Sequence, residues 1–195
     1  SYNLSDTAAN LANASEAVYN NAIAVTATTT ATAVQATSIH ALITASDATT
    51  AAANDFSAAL VTLNVSDTAS NLANNYTAGA IAADTVTATD AASAAEAAAI
   101  YAQDNNAVFA ISDAAATISA ASAGAEYDVA TSITPTDALT VAQLQNINTN
   151  SDVDGATGYA LSDTLANVTA ATAAEQAAAA NITLTDASIT VAQAL

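Results

Sequence analysis

Large apolar side chains recur along this chain at regular intervals, and each is followed four residues later by an acid or a hydroxyl. Anchoring each copy on the second residue of an SD or TD pair, or of Thr28-Thr29, gives Asp6, Thr29, Asp47, Asp67, Asp90, Asp113, Asp137, Asp163 and Asp186. Four positions before these stand Tyr2, Val25, Ile43, Leu63, Val86, Phe109, Ile133, Tyr159 and Ile182. Immediately before them stand Ser5, Thr28, Ser46, Ser66, Thr89, Ser112, Thr136, Ser162 and Thr185. The anchors are 23, 18, 20, 23, 23, 24, 26 and 23 residues apart. Agreement of all nine copies at two positions identifies an internal repeat.

Each copy predicts the same elements. Apolar and polar residues alternate before the anchor, as in Tyr2-Asn3-Leu4-Ser5, which is the period of a half-buried strand. An Ala-rich run of high helix propensity follows, such as Asp6 to Ala14 or Asp137 to Gln143. The hydroxyl ahead of the anchor is suited to accept an orphan N–H at the helix start, and the Asp to complement the helix dipole. Leu11, Leu72, Ile118 and Val168, five residues after their anchors, can be buried only against neighbouring copies. A short helix is marginal alone, so the units must stack.

Periods of this length with one strand and one helix each predict an α/β repeat, a parallel strand–helix solenoid of about nine 18–26-residue units forming one array over residues 1–195. Two forms of unit are visible. One reads YNLSDTAANLA at Tyr2, with relatives at Leu63, Phe109 and Tyr159; the other reads ITPTDALTVAQ at Ile133, with relatives at Ile182, Val25 and Val86. They alternate except at Ile43. An alternative is therefore a two-sheet solenoid whose coil is a pair of units, about 46 residues. A second alternative is an Ala-rich helical bundle, favoured by AASAAEAAAIYA and TAAEQAAAAN.

Composition narrows the function. Ala fills 60 positions and Thr 29, with only 4 Gly and 1 Pro, which argues against a linker. There is no Lys or Arg against 18 Asp and Glu, giving a formal net charge of −18. Such a chain cannot neutralise phosphates, so nucleic-acid binding and Arg- or P-loop-type phosphate recognition are excluded. Cys is absent, and with it disulfides and thiolate metal sites. No run of 18 apolar residues predicts a membrane span. His40 is the only His, in TSIHALI without a nucleophile elbow, and reads as a surface or edge residue; the chain is not expected to be an enzyme.

Ca²⁺ is the candidate cofactor. Asn150, Asp152 and Asp154, in NTNSDVDG, follow the alternate-oxygen opening of a calcium loop, although Leu161 stands where that loop carries its bidentate Glu. A second candidate is a surface array of T-x-T pairs, Thr26 and Thr28, Thr87 and Thr89, Thr134 and Thr136, Thr183 and Thr185. If like units stacked directly, these would form a regular threonine face resembling the ice-facing arrays of antifreeze solenoids.

The phrases YNLSDTAANLANA, YALSDTLANV, ITPTDALTVAQLQNI and ITLTDASITVAQAL resemble tandem repeats of very large secreted bacterial surface proteins. Those proteins are calcium-associated and often exported by type I secretion. The GGxGxD nonapeptide of calcium β-rolls is absent here. The resemblance implies an extracellular location at the bacterial cell surface and a structural or adhesive role. The expectation is a segment that self-assembles with copies of itself, or with adjacent repeats of a longer chain, into a fibre, sheath or surface layer. The alternative is an adhesin module that binds ice or glycan. The opening at Ser1, without an initiator Met, is expected of a processed or excised piece. An opening strand phrase and a closing helix phrase, without a capping unit, lead to the expectation of end-to-end stacking.

Overall fold

The structure, a computed structural model, describes residues 2–20, 22–49, 61–77, 83–150 and 158–188. These fall into two compact units, residues 1–91 with 95–109, and 92–94 with 110–195. Both are mixed α/β, built from short parallel strands followed by helices. An all-helical bundle is therefore ruled out.

In the first unit the order is β1 (Tyr2–Asp6), α1 (Ala8–Ala12), α2 (Glu16–Tyr19), β2 (Ala22–Ala27), α3 (Ala33–Thr49), β3 (Val61–Thr62), β4 (Asn64–Asp67), α4 (Ala69–Asn75), β5 (Thr85–Ala88) and most of α5 (Ala94–Gln103). β1 pairs in parallel with β2, β2 with β3, and β4 with β5. Bridges from Ala31 to Val65 and from Thr87 to Val108 extend the parallel pattern. The second unit has β6 (Ile111–Asp113), α6 (Ala115–Ala121), α7 (Glu126–Val129), β7 (Ile133–Pro135), α8 (Val141–Asn150), β8 (Ala160–Asp163), α9 (Leu165–Ala170), α10 (Ala173–Ala178) and β9 (Asn181–Leu184). Here β6 pairs with β7 and β8 with β9, again in parallel, and bridges join Ala92 to Ile111 and Leu139 to Leu161.

The register puts each strand of the first form beside the strand of the copy after it: Leu4 faces Val25, Val65 faces Val86, Ile111 faces Ile133 and Leu161 faces Ile182. Pairing thus runs between consecutive units, not between alternate ones as a 46-residue coil with two sheets requires. One expected unit does not exist. Ile43 and Asp47 lie inside α3, a continuous helix, so the copy anchored at Asp47 is neither strand nor cap.

The two apolar columns form the core. Val25, Leu63, Val86, Phe109, Ile133 and Tyr159 are all at most 4% exposed. Leu11, Leu72, Ile118 and Val168 are buried as well. Each such aliphatic side chain contributes about 1.5–3 kcal/mol when removed from water. Tyr2 is 42% exposed and Ile182 39%.

Candidate functional site

The described anchor acids Asp6, Asp67, Asp90, Asp113, Asp137, Asp163 and Asp186 accept from backbone N–H groups. Each strand of the first form runs through its Asp, because Asp6 O is still paired with Thr28 N, at 2.8 Å, and Asp67, Asp113 and Asp163 repeat the pattern. The first residue free to turn is the next one. Accordingly the N-cap is Thr7, Thr68 or Thr164, whose hydroxyl accepts from the N–H of Asn10, Asn71 or Asn167. The expectation that Ser5, Ser66 and Ser162 are caps is corrected by two residues: they lie within the strand, which ends at the Asp, and the Thr after it is the cap. The Asp sits just before the cap. Asp6 Oδ1 accepts from Thr7 N at 2.7 Å and from Asn10 Nδ2 at 2.8 Å. Asp67 and Asp163 do the same with Thr68 and Asn71, and with Thr164 and Asn167.

The second carboxylate oxygen reaches out of its own unit. In the first compact unit, Asp67 Oδ2 accepts from Ala33 N at 3.1 Å and Asp90 Oδ1 from Ala69 N at 2.6 Å. Thr29 Oγ1, standing where the others carry Asp, accepts from Ala8 N at 3.0 Å. In the second unit Asp113 accepts from Ala94 N, Asp137 from Ala115 N, Asp163 from Val141 N and Asp186 from Leu165 N. The starts of α1, α3, α4, α5, α6, α8 and α9 are thus each closed by the anchor of the copy that follows. The N–H groups at a helix start carry partial positive charge, so these are charge-assisted bonds. They stand in for the salt bridges that a chain without Lys or Arg cannot make.

At Asp6, Asp67 and Asp163 the donors favour the ionised carboxylate. Asn10 and then Thr7 keep Asp6 below the ordinary carboxylate value. At Asp67 partial burial opposes ionisation, but bonds from Asn71, Ala33 and Thr68 outweigh it, and the carboxyl is lowered. Asp163 is lowered chiefly by Asn167, with Thr164 and Val141 adding to it.

The second form starts its helices differently. Thr140 and Gln143 exchange bonds at 2.8 and 3.2 Å, and Thr32 and Gln35 do so at 3.1 and 3.3 Å, as capping boxes. Thr172 and Glu175 form another at α10.

The remaining candidates are distributed as follows. Asn150 ends α8 and donates to Asn146 O and Oδ1, both at 2.9 Å. Asp152 and Asp154 lie outside the described residues. Among the described residues no group of three His, Asp or Glu is placed to hold a metal ion. Thr26, Thr87, Thr134 and Thr183 are on strands, but their neighbours in register are Ser5, Ser66, Ser112 and Ser162. In each of these pairs Thr stands beside Ser, and Thr26 stands also beside Thr62 on β3. Thr28, Thr89, Thr136 and Thr185 follow the strand ends, exposed, and bond through their N–H to the preceding Asp carbonyl.

His40 is not a surface residue. It is 4% exposed in α3, its Nδ1 lies 3.3 Å from Thr77 O, and its ring tilts against Tyr76 at 6.2 Å. Burial pushes its pKa down, against the bond to Thr77. A histidine lowered in this way is neutral when folded and takes up a proton on unfolding. Stability is then full above about pH 6.5 and declines as the pH falls below it. Urea midpoints measured between about pH 7.5 and 5.5 should fall for the parent chain and stay closer to flat for His40→Phe. Parallel slopes would remove His40 as the cause.

The chain matches no protein-family model, no curated protein and no solved structure. No helix among the described residues is long and apolar enough to cross a membrane.

Proposed function

We propose that this chain is a structural repeat segment of a secreted bacterial surface protein, wound as a parallel strand–helix solenoid, that assembles into a fibre, sheath or surface layer. The observation that carries this reading is the recurring bond from each anchor back to the preceding helix start. It is a connector repeated at every copy, and nothing in it depends on how many copies are joined. Such a unit suits extension rather than a catalytic cleft. The apolar columns serve the same end, because each copy buries its Leu or Ile only when another lies beside it.

Calcium enters this reading at residues 150–154 alone. The anchor acids are already engaged by N–H donors, so the array is expected to hold without metal. Negative-stain electron microscopy and circular dichroism of the purified chain, with Ca²⁺ and then with chelator, test both points. Extended particles and an unchanged mixed α/β spectrum in chelator are expected. A collapse of the spectrum in chelator would make the acids cation sites, and particles of monomer size under all conditions would overturn the assembly reading.

A further inference from the structure

The anchor acids close helix starts, but no Lys or Arg exists to do the same at a helix end. A helix end carries partial negative charge, which a cation complements. α5 ends at Gln103 with no basic residue in its last turn. Ile100 O accepts from Asp104 N at 2.9 Å, and the carbonyls after it point past the helix end, outside the ladder of intrahelical bonds.

At that end Tyr101, Asp104, Asn105 and Asn106, all within the first compact unit, line an open concavity of about 510 Å³. This is a volume that small-molecule sites commonly have. Asp104 is the one acid among its described lining residues. Asp104 Oδ1 accepts from Asn106 N at 2.8 Å, and Oδ2 accepts from no donor among the described residues. The carboxylate stands against the body of the unit. Asp104 is half-buried, and its charge bears on the buried phenol of Tyr76, which burial first and then Asp104 push up. Tyr101 is half-buried as well, while Asn105 and Asn106 are exposed.

We propose that this concavity, built by Tyr101, Asp104, Asn105 and Asn106 at the end of α5, binds a small organic ammonium ion, a protonated primary alkylamine. The chemistry of its wall selects that class. A primary ammonium is a compact group of N–H donors without an acceptor, and the wall offers acceptors in Asp104 Oδ2 and the side-chain amide oxygens of Asn105 and Asn106. One carboxylate balances one positive charge. Ca²⁺ takes about six to eight oxygens, and a single acid with neutral amides is a poor cage for it. Tyr101 supplies an aromatic ring, whose face attracts organic cations. The carbonyls at the end of α5 add negative potential on the same side. A net charge of −18 draws cations to the whole surface, so what distinguishes this place is acid, ring and helix end around one cavity. The site is independent of self-assembly.

Amide chemical shifts of the whole chain, followed as butylammonium chloride is added in about 0.15 M NaCl, test the assignment; that salt screens attraction beyond about 8 Å. The amides of residues 101–106 should shift saturably. Asp104→Asn, which keeps an oxygen for Asn106 N, should weaken binding about tenfold or more, with an unchanged circular dichroism spectrum. Tyr101→Leu should weaken it about threefold. Asp128→Asn, at an exposed acid of the second compact unit, should leave the isotherm unchanged. Shifts spread over many acids and indifferent to Asp104→Asn would reduce the effect to a diffuse counter-ion cloud and overturn the site. The lack of any saturable shift at residues 101–106 would overturn it as well. Ca²⁺ acting on these amides at lower concentration than butylammonium would overturn the ligand class.

Discussion

Asp67→Ala is expected to lower the free energy of unfolding by about 2–4 kcal/mol. Asp67 serves two helices at once. Its Oδ1 fixes the start of α4 through Thr68 N and Asn71, and loss of a helix-start acceptor costs about 1 kcal/mol. Its Oδ2 closes the first N–H of α3, and leaving that part-buried donor unmatched costs about 1–3 kcal/mol more. Asp6 provides the internal control, because it makes the first set of bonds and not the second. Asp6→Ala should therefore lose distinctly less, and Asp67→Asn, which keeps one acceptor, should fall between them. Urea midpoints of dilute protein at neutral pH decide the matter. Equal losses for Asp6→Ala and Asp67→Ala would mean that the bond across copies contributes nothing.

That two-sided role was not legible in the sequence, although much around it was. The buried columns at Val25, Leu63, Val86, Phe109 and Ile133 could be read directly, since the period of the apolar residues is the period of the fold. The cap was misplaced because SDT offers three side chains able to accept an N–H. Only the pairing of Asp6 O with Thr28 N shows that the strand outlasts Ser5, and this pairing joins residues from different copies. The local signals were present in D-T-x-x-N and T-x-x-Q. They become meaningful once Asn10, Asn71 and Asn167 are seen to reach back four residues to the Asp.

Asp47 failed for a different reason. Ile43 and Ser46 satisfy the two-column template, yet Ala33, Ala36, Ile39 and Ile43 recur at helical spacing and are all buried in α3. Helix period and repeat period coincided there, and the longer run prevailed. The threonine array was conditional on like units stacking directly. T-x-T recurs in the second form only, and consecutive pairing places Ser112 beside Thr134 and Ser162 beside Thr183.

A chain with no Lys, Arg or Cys has only tyrosine side chains left to titrate above neutrality, which makes its alkaline limit interpretable. Tyr19 and Tyr127 are fully buried, and burial pushes each phenol up to about 12, with Glu126 and Asp113 adding to the rise at Tyr127. The unfolded chain releases these protons near the ordinary value of 10.0. Between these values the folded state holds more protons than the unfolded one, so stability is full below about pH 10 and is lost as the pH rises toward about 12. Tyr19→Phe separates this effect from packing. The Tyr19 hydroxyl donates to Leu11 O at 2.9 Å, and its removal should cost about 1 kcal/mol at neutral pH. Above about pH 10 the variant has one phenol fewer to ionise on unfolding, so the gap to the parent should narrow and then reverse. Urea midpoints at about pH 8, 10 and 11.5 would show the crossing. A gap that stays constant across this range would mean that Tyr19 ionises as readily in the folded chain as in the unfolded one, and that its burial does not govern the alkaline limit.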